Sequence, residues 1–224
     1  MEITPIAHIY TEFPEKFGIP RQSGLAGHLQ ARIVFEPEYR NPDSLRGLNG
    51  FSHLWLIWEF SANRKAGWQP TVRPPRLGGN EHMGLFATRS PFRPNPLGLS
   101  CVKLEHIDYD DKEGPVIYVN GADLMDGTPI YDIKPYIRYA DCRPDAVCGY
   151  VDRLDEDRLD VVIPDSLAAK VNDLSVVEAL KEVLSLDPRP SYHDDPERRY
   201  GMSFSGMNVS FYVKDRVLTV VGID

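Results

Sequence analysis

The 224-residue sequence predicts a mainly β protein, with an antiparallel sandwich or barrel first and a small α+β unit after it. Three observations carry that expectation. Short runs rich in β-branched and aromatic residues recur up to Val119, each bounded by Pro or Gly signals. Nineteen Pro and seventeen Gly suit a chain of turns and irregular loops better than a helical bundle. Helical periodicity enters only late, after residue 170.

In chain order, residues 3–10 and 28–35 read as strands that end near Pro or Gly. Residues 52–60, SHLWLIWEF, are apolar on both parities and read as a central strand buried on both faces. Residues 84–88, 99–106 and 116–119 continue the strand pattern. The composition changes after Tyr139, and 140–157, with Pro144, Gly149 and the start of an acidic run, reads as a linker. The predicted domains are therefore 1–139 and 158–224. In the second, 159–163 is a short strand before Pro164. Ser175 and Glu178 have capping-box spacing, and Val176, Val177, Leu180, Val183 and Leu184 make one apolar stripe. Pro188 should stop that helix at Asp187. Residues 207–213 and 217–222 read as a hairpin joined by Lys214, Asp215 and Arg216.

The net charge of −8 argues against a protein that coats nucleic acid through bulk electrostatics. Local recognition is another matter, because seven basic residues from Arg64 to Lys103 face the single acid Glu81. The later run Asp152, Asp155, Glu156, Asp157 and Asp160 reads as a solvated face. Three cysteines form neither a disulfide framework nor a zinc spacing, and point to reduced thiols in the cytoplasm. No leader pattern opens the chain, and no apolar run approaches the roughly 20 residues of a membrane span. No GxGxxG, Walker A or His/Cys metal spacing is present, and the six histidines are scattered.

Three blocks carry chemistry. Residues 73–100, RPPRLGGNEHMGLFATRSPFRPNPLGLS, are stiffened by Pro74, Pro75, Pro91, Pro94 and Pro96 and display Arg89, Ser90, Arg93 and Asn95. Such a segment suits a pocket that positions its ligand with little reorganisation; a stiff connector or a partner-bound polyproline segment is the alternative. Residues 123–136 bring Asp123, Asp126 and Asp132 to a turn at Asp126 and Gly127, where carboxylates can meet a cationic cofactor or simply bond local amides. Residues 187–192, DPRPSY, offer Arg189 to phosphate and Tyr192 to a base, or merely end a helix.

With these residues in view, the chain resembles the TsaA/TrmO family of tRNA methyltransferases. The resemblance runs in order through FSHLW at 51–55, PTVRPPRLGGN at 70–80, ATRSPFRPNPLGLS at 87–100, DGTPIYDIKPY at 126–136 and DPRPSY at 187–192. It implies a small antiparallel β-barrel that binds S-adenosylmethionine, a homodimer, and methylation of N6 of threonylcarbamoyladenosine at position 37, in the tRNA anticodon loop. Carried onto this sequence, the cofactor would be held by Ser23, Gly24 and Leu25, by Asn63 and Arg64, by Arg89 and Leu99, and by Ala122, Asp123, Leu124 and Met125. Arg93, Asp187, Arg189 and Tyr192 would face the tRNA, Arg89 would serve the reaction, and Asp126 is the expected base. No metal is implied. The rival readings are a methyltransferase for another RNA or a small molecule, and a non-catalytic binding module.

Overall fold

The computed structural model describes residues 2–63, 67–78, 80–154, 158–171, 173–190 and 195–224, so the expectations placed on Arg64 and Tyr192 lie outside the described residues. The chain begins with β1 (Ala7–Tyr10), β2 (Gln30–Phe35) and β3 (His53–Glu59). A two-stranded ribbon follows, β4 (Thr71–Val72) with β5 (Met83–Gly84). Next come β6 (Leu97–Asp108), β7 (Val116–Asn120) and β8 (Thr128–Pro135). The six longer strands close a barrel in the order β1-β2-β7-β6-β3-β8, every neighbouring pair antiparallel. Closure leaves no unpaired edge and selects the barrel over the sandwich.

The barrel interior is filled by Ile9, Ile33, Leu54, Leu56, Ile117 and Ile130, all fully buried, with their neighbours. In β3 only alternate residues point inward, so the expected two-sided burial does not occur: Trp55 and Ile57 are half-exposed on the outer wall. Trp55 is apolar-looking in sequence for another reason. Its indole packs against Tyr136 and donates to Asp141 of the short helix α1 (Arg138–Asp141), at 3.1 Å.

Residues 84–88 depart from the strand expectation. After β5 the chain makes a tight turn over Leu85–Ala87, closed when the Thr88 amide and hydroxyl both donate to the Leu85 carbonyl. Burial of Leu85 fixes this turn and overrides local β-propensity. Conversely, β8 was legible only as a turn, because Pro129, Asp132, Lys134 and Pro135 obscure its alternation. Its prolines sit at the strand's ends, where a missing N–H is tolerated.

The second sheet runs β10 (Tyr200–Phe204), β11 (Met207–Lys214), β12 (Val217–Ile223), then β9 (Asp160–Val162), which is parallel to β12. A short helix α2 (Asp165–Ala168) precedes α3 (Leu174–Ser185), whose buried Val177, Leu180, Val183 and Leu184 face this sheet's core. Asp173, not Ser175, caps α3: its carboxylate accepts the Ser175 hydroxyl at 2.7 Å and the Ser175 amide at 2.8 Å, and these bonds lower the Asp173 pKa. The helix ends at Ser185, and Asp187 takes a left-handed φ of 52° just before Pro188. At the predicted hairpin, Asp215 and Arg216 both have positive φ, the conformation that matches strand twist in a two-residue turn.

The second core also takes Phe13, Ala26 and Leu29 from the strap between β1 and β2. The Phe13 and Phe204 rings meet edge-on, 5.4 Å between centroids. Phe13→Ala should therefore destabilise the protein by about 3–5 kcal/mol, the usual cost of deleting a buried Phe. Urea denaturation measures it; a loss comparable to that of a surface substitution would mean that the strap is not part of this core.

Candidate active site

The strap, the rim of the barrel and the Pro/Arg loop enclose a cavity of about 440 Å³, within the roughly 300–1,000 Å³ of small-molecule sites. Its barrel wall is Trp58 and Glu59 at the end of β3, Leu97 to Leu99 at the start of β6, and Thr128 at the start of β8. Asp123 and Met125 come from the segment after β7. The strap gives Lys16, Arg21 and Gln22, and the Pro/Arg loop gives Thr88, Arg89, Pro91 and Arg93. Cations thus ring the mouth while two carboxylates lie within.

Asp123 is tied into the barrel by a relay. The Trp58 indole N–H donates to Ser100 Oγ at 2.9 Å, and the Ser100 hydroxyl donates to Asp123 Oδ1 at 2.5 Å. Burial raises the Asp123 pKa, and the Ser100 hydrogen bond and nearby Arg89 offset part of that rise. An acid held this way favours a cationic ligand, which would restore the interactions its charge has lost. Alongside, Ser23 Oγ accepts the Cys101 amide at 3.1 Å, and the Gly24 amide donates to the Gly121 carbonyl at 2.8 Å. This backbone approach requires Gly121, since a Cβ there would stand 3.2 Å from the Gly24 backbone and φ is 77°. Two stretches about 100 residues apart in sequence are thereby stitched side by side.

Of the residues expected at the site, Asn63, Arg89, Arg93, Leu99, Asp123 and Met125 line the cavity. Arg89 donates to Gln22, and Lys16 to Asn63 Oδ1 at 2.6 Å. Arg93 braces its own loop by donating to the Thr88 carbonyl at 2.8 Å. Ser23 flanks the wall, as does Gly24. Leu25 is not part of the cavity lining, and its carbonyl accepts from Arg158. Ala122 and Leu124 turn their side chains into the barrel core, leaving only backbone for a ligand.

Asp126 is not in the cavity wall. It is exposed, and its carboxylate accepts the Thr11 amide at 3.0 Å, because the turn at Gly127 carries it toward the strap. Asp187 and Arg189 line a second cavity of about 230 Å³ that shares Lys16, Ile19, Pro20 and Arg21 with the first. Both Asp187 oxygens grip the Arg189 guanidinium, at 2.8 and 2.9 Å, while Arg21 donates to the Asp187 carbonyl. Burial, together with the charge of Arg76, lowers the Arg21 pKa.

Sequence reasoning missed Lys16, Gln22, Trp58, Ser100 and Glu59. For Glu59 a signal existed: it is the one acid in the run SHLWLIWEF, and a lone acid closing an apolar strand needs a reason. Glu59 is only 6% exposed, and it accepts the Tyr131 phenol at 2.6 Å.

Comparison with known proteins converges on one family. Residues 8–142 match the tRNA-methyltransferase O N-terminal domain, and residues 156–224 match the TrmO C-terminal domain. The tRNA (adenine(37)-N6)-methyltransferase of Escherichia coli K12 is 37% identical over 226 residues, 98% of this chain and 96% of that protein. A putative S-adenosylmethionine-dependent methyltransferase of Pseudomonas aeruginosa is 36% identical over 99% of this chain and 98% of its own length. A crystal structure of TrmO from Pseudomonas aeruginosa superposes with a TM-score of 0.80 at 30% identity, covering 100% of this chain and 98% of that one.

Proposed function

The chain belongs to the tRNA-methyltransferase O family, and on that premise we propose that it transfers a methyl group from S-adenosylmethionine to N6 of adenosine 37 of tRNA. The observation that carries this reading is the cavity built around half-buried Asp123, because its residues fit the donor. Bound there, S-adenosylmethionine supplies an electrophilic methyl carbon on a sulfonium. Asp123 meets a cationic or hydroxyl group of the donor, the backbone beside Ser23, Gly24 and Ala122 to Met125 grips its polar ends, and Leu99 and Met125 give apolar contact. Displacement at that carbon needs alignment above all, so rigid positioning is the main contribution of these residues.

The substrate base enters beneath the cationic mouth. Arg89 and Arg93 suit a carboxylate or phosphate, and Asp187 with Arg189 extends the same face through the second cavity. The substrate is the threonylcarbamoyl form of adenosine 37, whose carboxylate gives those arginines a partner. We place the enzyme in the cytoplasm as a homodimer, consistent with three free cysteines, with exposed Leu99 in the cavity wall and with exposed Phe86 against Arg93.

The test is incubation of the purified protein with labelled donor and tRNA lacking the methyl group, followed by nucleoside mass analysis. N6-methylated threonylcarbamoyladenosine is expected; label in another nucleoside would replace the substrate assignment. Because few phosphates are contacted under a net charge of −8, tRNA affinity should fall only gently with salt. A log–log slope as steep as about −6 or beyond, the behaviour of a protein with many phosphate contacts, would contradict focal recognition.

A further inference from the structure

The rim of the barrel holds a second carboxylate arrangement that the preceding assignment does not use. Opposite Ile57 and Trp58 of β3, strand β8 carries an extra residue: Ile57 pairs with Asp132 and Trp58 with Ile130, leaving Tyr131 between them. Such a bulge re-aims side chains, and here the Tyr131 hydroxyl donates to Glu59 Oε2 at 2.6 Å. Glu59 lines the cavity while remaining almost wholly buried. Keeping a carboxylate at that depth, at the end of a strand that is otherwise apolar, is costly unless its polar atoms are engaged. The two acids of the cavity are set on different parts of the rim. Asp123 hangs from Ser100 on β6, whereas the Glu59 and Tyr131 pair joins β3 to β8.

Methylation of N6 obliges that nitrogen to give up a proton. Among the described residues lining the cavity, the side chains able to accept one near neutral pH are Asp123 and Glu59; the others are cations, amides, hydroxyls or apolar groups. Asp123 adjoins the Ser23 and Ala122 to Met125 backbone that grips the donor. The geometry points to Glu59 as the catalytic proton acceptor, with Tyr131 as the positioning residue that fixes its carboxylate. This assignment rests on the methyltransferase reading above. In the step, the N6–C bond forms as the S–C bond breaks, the electron pair of the broken bond stays on sulfur, and the N6 proton passes to Glu59. The phenol hydrogen bond holds the carboxylate in place at the cavity wall.

Two variants test this. Glu59→Gln should lower turnover about 100-fold or more, the scale of general-base catalysis, while calorimetric affinity for S-adenosylmethionine and the apo Tm stay near wild type. Tyr131→Phe retains the carboxylate but loses the bond that positions it, so kcat should fall by up to about 100-fold while the KM for S-adenosylmethionine stays near wild type. Wild-type turnover of the Glu59→Gln variant would overturn the assignment. So would a loss of donor affinity in step with turnover, which would make Glu59 a donor ligand. If Glu59→Gln fails to fold, Tyr131→Phe decides, and an unchanged kcat counts against the pair. Wild-type activity on tRNA is the control that separates the two levels: an inactive wild type removes the underlying reading, whereas an active wild type with an active Glu59→Gln removes only Glu59.

Discussion

Asp123→Asn is expected to weaken S-adenosylmethionine binding by about 10- to 100-fold, because a hydrogen bond to a charged group contributes roughly 1.5–3 kcal/mol. The substitution keeps the volume and still lets Ser100 donate to the side-chain oxygen, so the barrel wall should survive. Its effect on the apo protein has the opposite sign. Burial raises the folded pKa of Asp123 above its unfolded value, so the folded state binds this proton more tightly. The stability associated with that protonation is fully present below the unfolded pKa and is lost as pH rises through the folded one. Above the folded pKa the wild-type apo protein therefore carries a partly buried charge that the asparagine variant lacks. Thermal denaturation should show the variant as stable as wild type or more so at neutral to alkaline pH, with any gain shrinking as the solution is acidified. Calorimetry with the donor should show the affinity loss at the same pH. Unchanged affinity would take Asp123 out of the donor site; a lower apo Tm at every pH would mean that its charge is compensated in the fold.

The second large effect is expected at Gly98, and it tests whether the barrel wall shapes the site. A Cβ at this position would lie 2.3 Å from the Trp58 indole, with two further ring atoms within 2.7 Å. Trp58 is buried, packs 4.4 Å from Phe60, and donates the first hydrogen bond of the relay to Asp123. Gly98→Val must displace this indole or distort the β3–β6 pairing at which Trp58 and Gly98 face each other. Overpacking of this kind costs about 1–3 kcal/mol, and moving the indole also breaks its bond to Ser100. A fall in Tm, altered tryptophan fluorescence and weakened donor binding are expected together. Trp58→Leu in the Gly98→Ala background should recover part of the lost stability, since it removes the atoms a methyl would strike, without recovering donor affinity. If Gly98→Ala alone is neutral in both stability and binding, the indole does not define the wall.

Much of the architecture was legible along the chain because local patterns report local structure. The runs near Ile9, Ile33, Leu54, Val102 and Ile117 named five of the six barrel strands, and the stripe from Val177 to Leu184 named α3. Where the reading failed, a neighbouring residue or a packing contact outweighed the simple pattern. Asp173 took the cap of α3 from Ser175, Leu85 turned an expected strand into a tight turn, and the prolines of β8 hid a strand whose pairing they tolerate. The resemblance in motif brought the right segments to attention, but it did not show which side chains meet. Asp126 looked like Asp123 in the linear motif, and only the turn at Gly127 sends one to the strap and leaves the other in the cavity.

The sequence by itself determined the family, the mainly β character and the segments from which the site is made, since these depend on residue type and spacing along the chain. The tertiary structure alone decided that Glu59 and Tyr131 form a pair, that Trp58, Ser100 and Asp123 form a relay, and that the strap from Phe13 to Leu29 is held by the second core. The physical reason is barrel closure. Register and bulges set which residues of distant strands share a face, and a single skipped residue in β8 re-aims a phenol at a carboxylate 72 positions away.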